Sequence, residues 1–321
     1  MATSNPGGGM PVRPSVRRTV DDAGAVTAAA LQSGASGRRE ALKSGLFVGL
    51  LILSLLIAFG TLITLILDAV IDGWARLDLD LLTNFASSNA EIAGLQAAIF
   101  GTLWVMFGLV ITVVPLGVGA ALYLEEYANR DRWYNRFIEL NVQNLAAVPS
   151  IVFGILGLGL IVRGGLSLGP VAYAGALTLS LLVLPTVILA SREAIRAVPS
   201  SHRQASLALG ATKLQTIRHH VLPQAIPGIM TGTILAVARA IGETAPLLLV
   251  GATVFVTFNP DGLFAEGYTV IPVQVYNWVT RPSDDFRILS AAGIVVLLGM
   301  LLLVNASAIY IRNRWYKKQA H

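Results

Sequence analysis

The chain has 321 residues, of which 55% are hydrophobic and only 13% are charged, and its mean hydropathy is +0.68. These values lie far from those of an average soluble domain and predict a membrane protein. The sequence contains no cysteine, which excludes disulfides, thiolate metal sites and cysteine nucleophiles. We interpret the net charge of +5 as a topology signal and expect no nucleic-acid partner, because no basic patch is interleaved with exposed aromatic residues.

Six apolar stretches are long enough to cross about 30 Å of hydrocarbon as helices. Five carry no charge, and the remaining one, from Val221 to Val256, is interrupted only by Arg239 and Glu243. We predict that this helix begins near Gln224 and passes through both charged residues. The expected fold is therefore all-α with six transmembrane helices, of which the other five cover residues 46–67, 95–122, 140–162, 170–190 and 288–311.

The two ends of the chain differ from the apolar stretches in composition. Residues 1–44 are rich in Gly, Ala, Ser, Pro and Arg and are predicted to form a disordered cytoplasmic tail. Residues 45–312 form the predicted membrane domain, and 313–321 form a short C-terminal tail. Eighteen of the 23 Lys and Arg residues fall in the tails and alternate connections on one side, against four on the other. This asymmetry predicts that both termini are cytoplasmic.

Prolines and one outer segment give further local expectations. Pro115, Pro149 and Pro185 lie within the second, third and fourth predicted helices, where we expect them to produce kinks. The segment YTVIPVQVYNWV, residues 268–279, mixes aromatic and aliphatic residues. We expect it to form a short helix along the membrane interface that contacts a substrate-delivery protein.

The connection at residues 200–223 has the most informative pattern outside the apolar stretches. Ser201 with Gln204, and Thr212 with Gln215, have the spacing of capping boxes, and Gly210 lies between them. This pattern predicts two short helices joined at a glycine. The first helix has a face of small apolar residues that suits a groove on another protein. A helical hairpin packed on its own membrane domain explains the same spacing equally well.

The residues of this connection resemble the EAA loop of the ABC importer permeases. The family pattern is Glu-Ala-Ala, three residues, Gly, nine residues, Ile, one residue and Leu-Pro, and this chain departs from it at Gln204, Ser206 and His220. In that family the first helix is a coupling helix that docks into a cleft of the ATPase subunit. The resemblance therefore assigns ATPase coupling to Gln204, Ala205, Ser206, Gly210, Leu222 and Pro223.

Three further stretches are similar to the permeases of the Pst phosphate importer. They are NLAAVPSIVFGILGLG (144–159), SREAIRAVPSS (191–201) and ARAIGETAPLL (238–248), and the last is most similar to the PstA-type subunit. The resemblance covers residues 45–312 and implies the type I ABC importer architecture in a bacterial plasma (inner) membrane. It also implies three partners, which are a PstC-type permease, an ATPase dimer that binds ATP and Mg, and an extracytoplasmic phosphate-binding protein.

The charged pair Arg239 and Glu243 suits the path of an oxyanion. An arginine within the bilayer costs about 2.5–3.5 kcal/mol on insertion scales, so it must face the bundle interior, water or a partner. A glutamate four residues later on a helix can pair with it, and a buried lock between helices is the structural alternative. A guanidinium matches two phosphate oxygens, while a carboxylate can accept the O–H that phosphate has and sulfate lacks. Thr244 is a further candidate donor to the anion.

Other functions remain as alternatives at this point. The chain has no G-x-x-x-x-G-K-[ST] motif, so we expect no ATP hydrolysis by this chain, no enzyme activity and no cofactor of its own. No histidine has the spacing of a metal ligand. Arg192 follows the positive-inside bias, with a phosphate exit site as the lesser alternative. An importer of another oxyanion would share the EAA-like loop, whereas an ATP-independent channel or secondary transporter would not need it.

Overall fold

A computed structural model describes residues 34–129, 132–253 and 255–319. These residues form twelve α-helices and no strand, with a single isolated bridge between Val171 and Glu266. In chain order the helices are α1 (Gly34–Gly73), α2 (Leu79–Thr83), α3 (Gln96–Leu122), α4 (Trp133–Leu145), α5 (Ser150–Leu156), α6 (Ala172–Arg196), α7 (Ser200–Ala208), α8 (Lys213–Thr216), α9 (Leu222–Ile241), α10 (Ala245–Leu249), α11 (Ile271–Val279) and α12 (Asp284–Gln319). Short π-helical turns extend α3 to Tyr127 and α5 to Val162, and a third joins α8 to α9.

The chain divides into two compact units, residues 1–65 and 66–321. In the first unit, residues 34–65 belong to α1, and the side chains from Glu40 to Leu65 are exposed. Most of the predicted tail lies outside the described residues. However, α1 begins at Gly34, well before the predicted boundary at residue 45. The residues from Arg38 to Lys43 favour helix, because they are mostly Arg, Glu, Ala, Leu and Lys.

Among the described residues, five helical segments are long and apolar enough to cross a membrane. A sixth is present if Trp133–Leu145 and Ser150–Val162, which meet at a bend of 110°, count as one broken span. The segment predicted as one kinked helix at 140–162 is therefore two helices, and the kink expected at Pro149 is a complete break. Pro149 is the N-cap residue of α5 and has φ −57° and ψ 137°, so the backbone turns out of helical geometry there. The five spans are Glu40–Arg76, Gln96–Tyr127, Ala172–Arg196, Lys213–Ile241 and Asp284–Arg314.

The helix that carries Arg239 also differs from the prediction. It is helical without interruption from Lys213, rather than from near Gln224, and it ends at Ile241 instead of passing through Glu243. Gly242 is the C-cap residue of α9. Pro246 explains the end of the helix, because a proline ring in a continuous helix would clash with the carbonyl group four residues earlier, that of Gly242.

Helix α6 lies at the centre of the second unit and packs against both α3 and α9. Small residues allow these helices to approach closely. On α9, Gly228 and Gly232 face Ala194 and Ala190 of α6; a Cβ at position 228 would lie 2.7 Å from the Cβ of Ala194. This is the small-xxx-small pattern that lets membrane helices gain van der Waals contact and bring their backbones together.

A second apolar cluster lies beside this three-helix centre. The short helix predicted within 268–279 is present as α11, but its residues Ile271, Val273 and Trp278 are buried. They form clusters with residues of α12 and of the segment before α3. Most of this helix is thus covered by the chain itself, and its position along the membrane interface stays a prediction. Tyr276 and Val279 are its exposed apolar side chains.

Prediction for helix packing. The Gly232→Ala substitution should lower the free energy of unfolding by about 1–3 kcal/mol, because its Cβ would collide with the Cβ of Ala190 and force α6 and α9 apart. The purified protein would be measured by thermal unfolding in detergent. Adding Ala190→Gly should restore much of the lost free energy of unfolding. Gly119→Ala is the matched control, because no atom lies within 4 Å of a Cβ at that exposed position on α3.

Candidate permease site

The docking loop, which we define as residues 200–221, contains α7, α8 and the π-helical turn Ile217–Val221. The second predicted capping box is confirmed, because Thr212 Oγ1 accepts from the Gln215 N–H at 3.3 Å and Gln215 Oε1 accepts from the Thr212 N–H at 2.8 Å. The first was wrong. Helix α7 starts directly after Pro199, which is its N-cap, and Ser201 lies inside the helix.

Gly210 joins the two short helices, as predicted, with a φ of +84°. This left-handed conformation is readily available to glycine and costs other residues free energy. No neighbouring atom lies within 4 Å of a Cβ built at this position. The need for glycine therefore comes from the backbone conformation and not from crowding.

The two sides of α7 have different environments. Gln204, Ala205 and Leu209 are exposed, and Leu209 has 89% of its surface accessible. Ser206 is buried, and its hydroxyl group lies 2.9 Å from the Thr216 hydroxyl on α8. The outer face consequently presents apolar Ala205 and Leu209 beside the polar Gln204, while the inner face attaches the helix to the rest of the loop.

Leu222 and Pro223 are half-buried at the start of α9. Pro223 is the second residue after the π-helical turn, and the helical path continues from α8 through this turn into α9. A proline cannot donate a backbone hydrogen bond, and a wider turn is one of the local adjustments that accommodate it in membrane helices. The docking loop and α9 are therefore joined by an unbroken helical path.

Arg192 is a buried residue of α6 in an ion-pair network that joins α6 to α4 and to the end of α3. Its side chain is 5% exposed; Nη2 donates to Glu139 Oε1 at 2.9 Å and lies 3.6 Å from Glu125 Oε2. Arg196, one turn later, binds both carboxylate oxygens of Glu125 at 3.1 Å. The exit-site role of Arg192 stays a prediction, and the geometry gives its guanidinium a structural function. The partners are 53 and more residues away in the sequence, so local spacing could not identify them.

Arg239 and Glu243 lie at the other end of α9. Arg239 Nε is 3.7 Å from Glu243 Oε1, and the side chains are 57% and 20% exposed, respectively. The predicted pairing is confirmed, although Glu243 is not on the helix. It follows the C-cap turn, in which the Gly242 and Glu243 N–H groups donate to the carbonyls of Arg239 and Ala240. The arrangement is a loose ion pair with an accessible guanidinium, rather than a sealed lock within this chain.

Thr244 connects the end of α9 to the short helix α10. It is half-buried, and its carbonyl accepts a hydrogen bond from the Leu248 N–H at 3.1 Å. The next turn packs on α5, where a Cβ at Gly154 would lie 2.7 Å from the Cα of Pro246. Two helix interruptions, one ending at Pro149 and one just before Pro246, thus lie beside neighbouring helices. They are also the places where the sequence most resembles the Pst permeases.

Helices broken within the apolar part of a bundle, a charged pair beside one of the breaks and a protruding docking helix define a membrane permease that works with other subunits. The family described as "Binding-protein-dependent transport system inner membrane component" matches residues 113–316. The chain therefore belongs to this family and is a permease subunit of an ABC transporter. A partner permease, an ATPase and a binding protein accompany such subunits in general.

Individual relatives agree with the family. The chain is 32% identical to the probable ABC transporter permease protein YqgI of Bacillus subtilis, over 78% of this chain and 88% of that protein. It is 36% identical to the phosphate transport system permease protein PstA 1 of Mycobacterium tuberculosis, over 68% and 70% of the two chains. A bacterial alginate ABC transporter in complex with an alginate-bound periplasmic protein has a similar fold, with a TM-score of 0.57, 18% identity and coverage of 86% and 96%.

Prediction for the docking loop. Gly210→Ala should destabilise the turn between α7 and α8 by about 1–2 kcal/mol, because alanine must adopt a left-handed conformation. Limited proteolysis of the purified protein, with cleavage sites mapped by mass spectrometry, would detect opening of the loop. Gly210→Asn should be cleaved more slowly than Gly210→Ala, since asparagine tolerates this conformation better. Equal protection of all three proteins would contradict the assigned turn.

Proposed function

We propose that this chain is the PstA-type permease subunit of an ATP-driven importer of inorganic phosphate. It forms half of the pore, with a PstC-type permease as the other half, an ATPase dimer on the docking loops and an extracytoplasmic phosphate-binding protein. The single observation that carries the proposal is the accessible guanidinium of Arg239 beside Glu243 at the break between α9 and α10. The relative named as a phosphate transport permease, 36% identical to this chain, supports the same substrate.

The chemistry of the pair suits phosphate. The planar guanidinium of Arg239 offers two parallel N–H donors to two anion oxygens and keeps its charge at every physiological pH. The Nε of this group is 3.7 Å from the Glu243 carboxylate, which is too long for a strong hydrogen bond. An incoming anion can consequently take over the guanidinium without breaking a tight internal bond. Thr244, next in the chain, can add a hydroxyl donor.

Glu243 provides discrimination between oxyanions. Phosphate carries at least one O–H group at neutral pH, and the carboxylate can accept a hydrogen bond from it. Sulfate has no such proton, so its oxygens would meet the carboxylate as an unpaired repulsive charge. Attraction by Arg239 together with rejection by Glu243 would select phosphate.

The remaining geometry gives the path of coupling. The ATPase would dock on the exposed side of α7, which contains Gln204, Ala205 and Leu209. The helical path from Lys213 to Ile241 joins that loop to the turn that carries the charged pair. Closure of the ATPase dimer around ATP and Mg would thus reorient α9 and its terminal arginine. In this arrangement both termini and the docking loop are cytoplasmic.

Reconstitution tests the proposed function directly. The chain would be assembled with its partner permease and ATPase in vesicles, and uptake of labelled phosphate and sulfate would be measured with ATP and the binding protein. We expect phosphate uptake that requires ATP and exceeds sulfate uptake. Uptake of sulfate in preference to phosphate, or uptake of phosphate without ATP, would contradict the proposal.

Prediction for Glu243. Glu243→Gln should reduce the ratio of phosphate to sulfate uptake about tenfold, because a charged hydrogen-bond acceptor for the phosphate O–H is lost and the repulsion of sulfate is removed. Assembly should be intact, as judged by co-purification with the ATPase. Glu266→Gln is the control, since this exposed carboxylate lies in another part of the chain. An unchanged ratio in Glu243→Gln would remove the acceptor role.

Prediction for Arg239. Arg239→Lys keeps the charge but loses the two-donor fork, so phosphate uptake should fall about tenfold. The measurement is the initial uptake rate at several phosphate concentrations. Arg163→Lys, the same change at an exposed position, should have no effect. Full transport by Arg239→Lys would support a purely structural ion pair instead.

A further inference from the structure

Arg203 is the charged residue that connects the inner side of α7 to two other helices. Its Nε donates to Glu126 Oε1 at 3.0 Å, and its Nη2 lies 2.9 Å from the same oxygen. Glu126 belongs to the π-helical turn Tyr123–Tyr127 at the end of α3. The side chains of Arg203 and Glu126 are only 22% and 10% exposed. Partial exclusion of water strengthens such a pair relative to one on an open surface.

The same guanidinium also binds the end of α6. Its Nη1 donates to the carbonyl of Val198 at 2.6 Å, and its Nη2 donates to the carbonyl of Ile195 at 2.8 Å. Carbonyls at the C-terminal end of a helix lack partners within the helix and carry partial negative charge, so an arginine binds them well. Arg203 therefore joins α7, α3 and α6 through one rigid planar group.

Two further contacts attach the docking loop to the same place. The Lys213 ammonium on α8 donates to the backbone carbonyl of Glu126 and lies 4.9 Å from the centre of the Tyr127 ring. Helices α3 and α6 are themselves joined there, because Arg196 binds Glu125. The loop is thus attached to two helices that are themselves joined by the bonds between Arg196 and Glu125.

We propose that Arg203 is the positioning residue that makes α7 move as one body with the ends of α3 and α6, so that movement of the ATPase reaches the pore. This inference rests on the proposed docking of the ATPase on α7, and it does not depend on which anion is transported. The exposed side of α7 would receive the displacement. Arg203, on its other side, would pass that displacement to two membrane helices at once.

The planar fork is necessary for this role. Arginine reaches the Glu126 carboxylate with one edge and the two carbonyls with its terminal nitrogens. A lysine has a single ammonium and cannot hold all three acceptors in fixed geometry. Arg203→Lys should therefore retain part of the function, and Arg203→Gln should lose most of it.

Distance measurements test whether α7 and α3 move together. The chain has no cysteine, so spin labels at Ser200→Cys on α7 and Leu116→Cys on α3, both exposed positions, would be specific within this subunit. In the complex with the ATPase, the distance should be narrow and equal with and without trapped nucleotide. With Arg203→Gln added, the distribution should broaden. A wild-type distance that changes with nucleotide, or an unaffected variant, would overturn the proposal.

The functional measurement is the number of anions transported per ATP hydrolysed in reconstituted vesicles. Arg203→Gln should lower this ratio about tenfold, the size of effect expected when a charge-assisted hydrogen bond is lost, while retaining most ATP hydrolysis. Arg203→Lys should be intermediate. Arg163→Gln is the control, since this exposed arginine lies between α5 and α6 and outside the docking loop; its ratio should stay within about twofold of wild type, below the effect of one such bond. A normal ratio in Arg203→Gln would contradict the inference.

A second variant decides the matter if Arg203→Gln does not assemble with the ATPase. Glu126→Gln removes the charge on α3 but leaves the bonds from Arg203 to the α6 carbonyls, so assembly should persist while the ratio falls. An unchanged ratio in that variant would overturn the proposal. If the wild-type complex hydrolyses ATP but does not transport phosphate, the proposed substrate is wrong. The distance measurement would still test the role of Arg203 in that case.

Discussion

The close approach of α3, α6 and α9 is the constraint on which the rest of the second unit depends. In a membrane the hydrophobic effect does not drive helices together, so contact has to come from shape. Glycines at 228 and 232 place the backbone of α9 directly against Ala194 and Ala190 of α6. Gly108 and Gly117 do the same for α3 against Ala176 and Val187. A bulky residue at any of these contacts would separate the helices and shift both ends of the bundle.

The polar sites are built on this apolar frame and occupy its two ends. At one end, Arg203 binds a carboxylate and two backbone carbonyls and so fixes the docking loop to the frame, while Arg192 and Arg196 bind carboxylates that join α6 to α4 and to the end of α3. At the other end, the ion pair is longer and its arginine is accessible. The contrast in geometry matches the two tasks that we propose for these sites. Transmission of force requires tight, multiply bonded side chains, whereas recognition of a passing anion requires donors that can change partners.

Sequence patterns predicted the fold class and most of the spans, because a long uncharged apolar stretch has few alternatives to forming a membrane helix. They did not predict which prolines end a helix. Pro115 and Pro185 lie inside helices, while Pro149 and Pro246 are at breaks. The local residues around these prolines do not differ enough to decide, since neighbouring helices determine whether freed backbone groups find partners.

The candidate site was also predictable only in part, because sequence patterns report contacts between nearby residues and not those between distant ones. The pairing of Arg239 with Glu243 and the turn at Gly210 depend on neighbours within a few residues, and both are present. The capping box expected at Ser201 is absent because the helix begins directly after Pro199. The connection from Arg203 to Glu126 spans 77 positions of the chain, and only the folded arrangement of α3 beside α7 reveals it.

The exposure of Arg239 has a consequence for biogenesis. With 57% of its side chain uncovered, a subunit that inserts before its partner arrives would present a permanent cation to acyl chains, at a cost of about 2.5–3.5 kcal/mol. Association that encloses this cation in a hydrated conduit would recover that cost. The arginine proposed to attract the solute would then also favour association with the partner permease, and copies without a partner would be the less stable species in the bilayer.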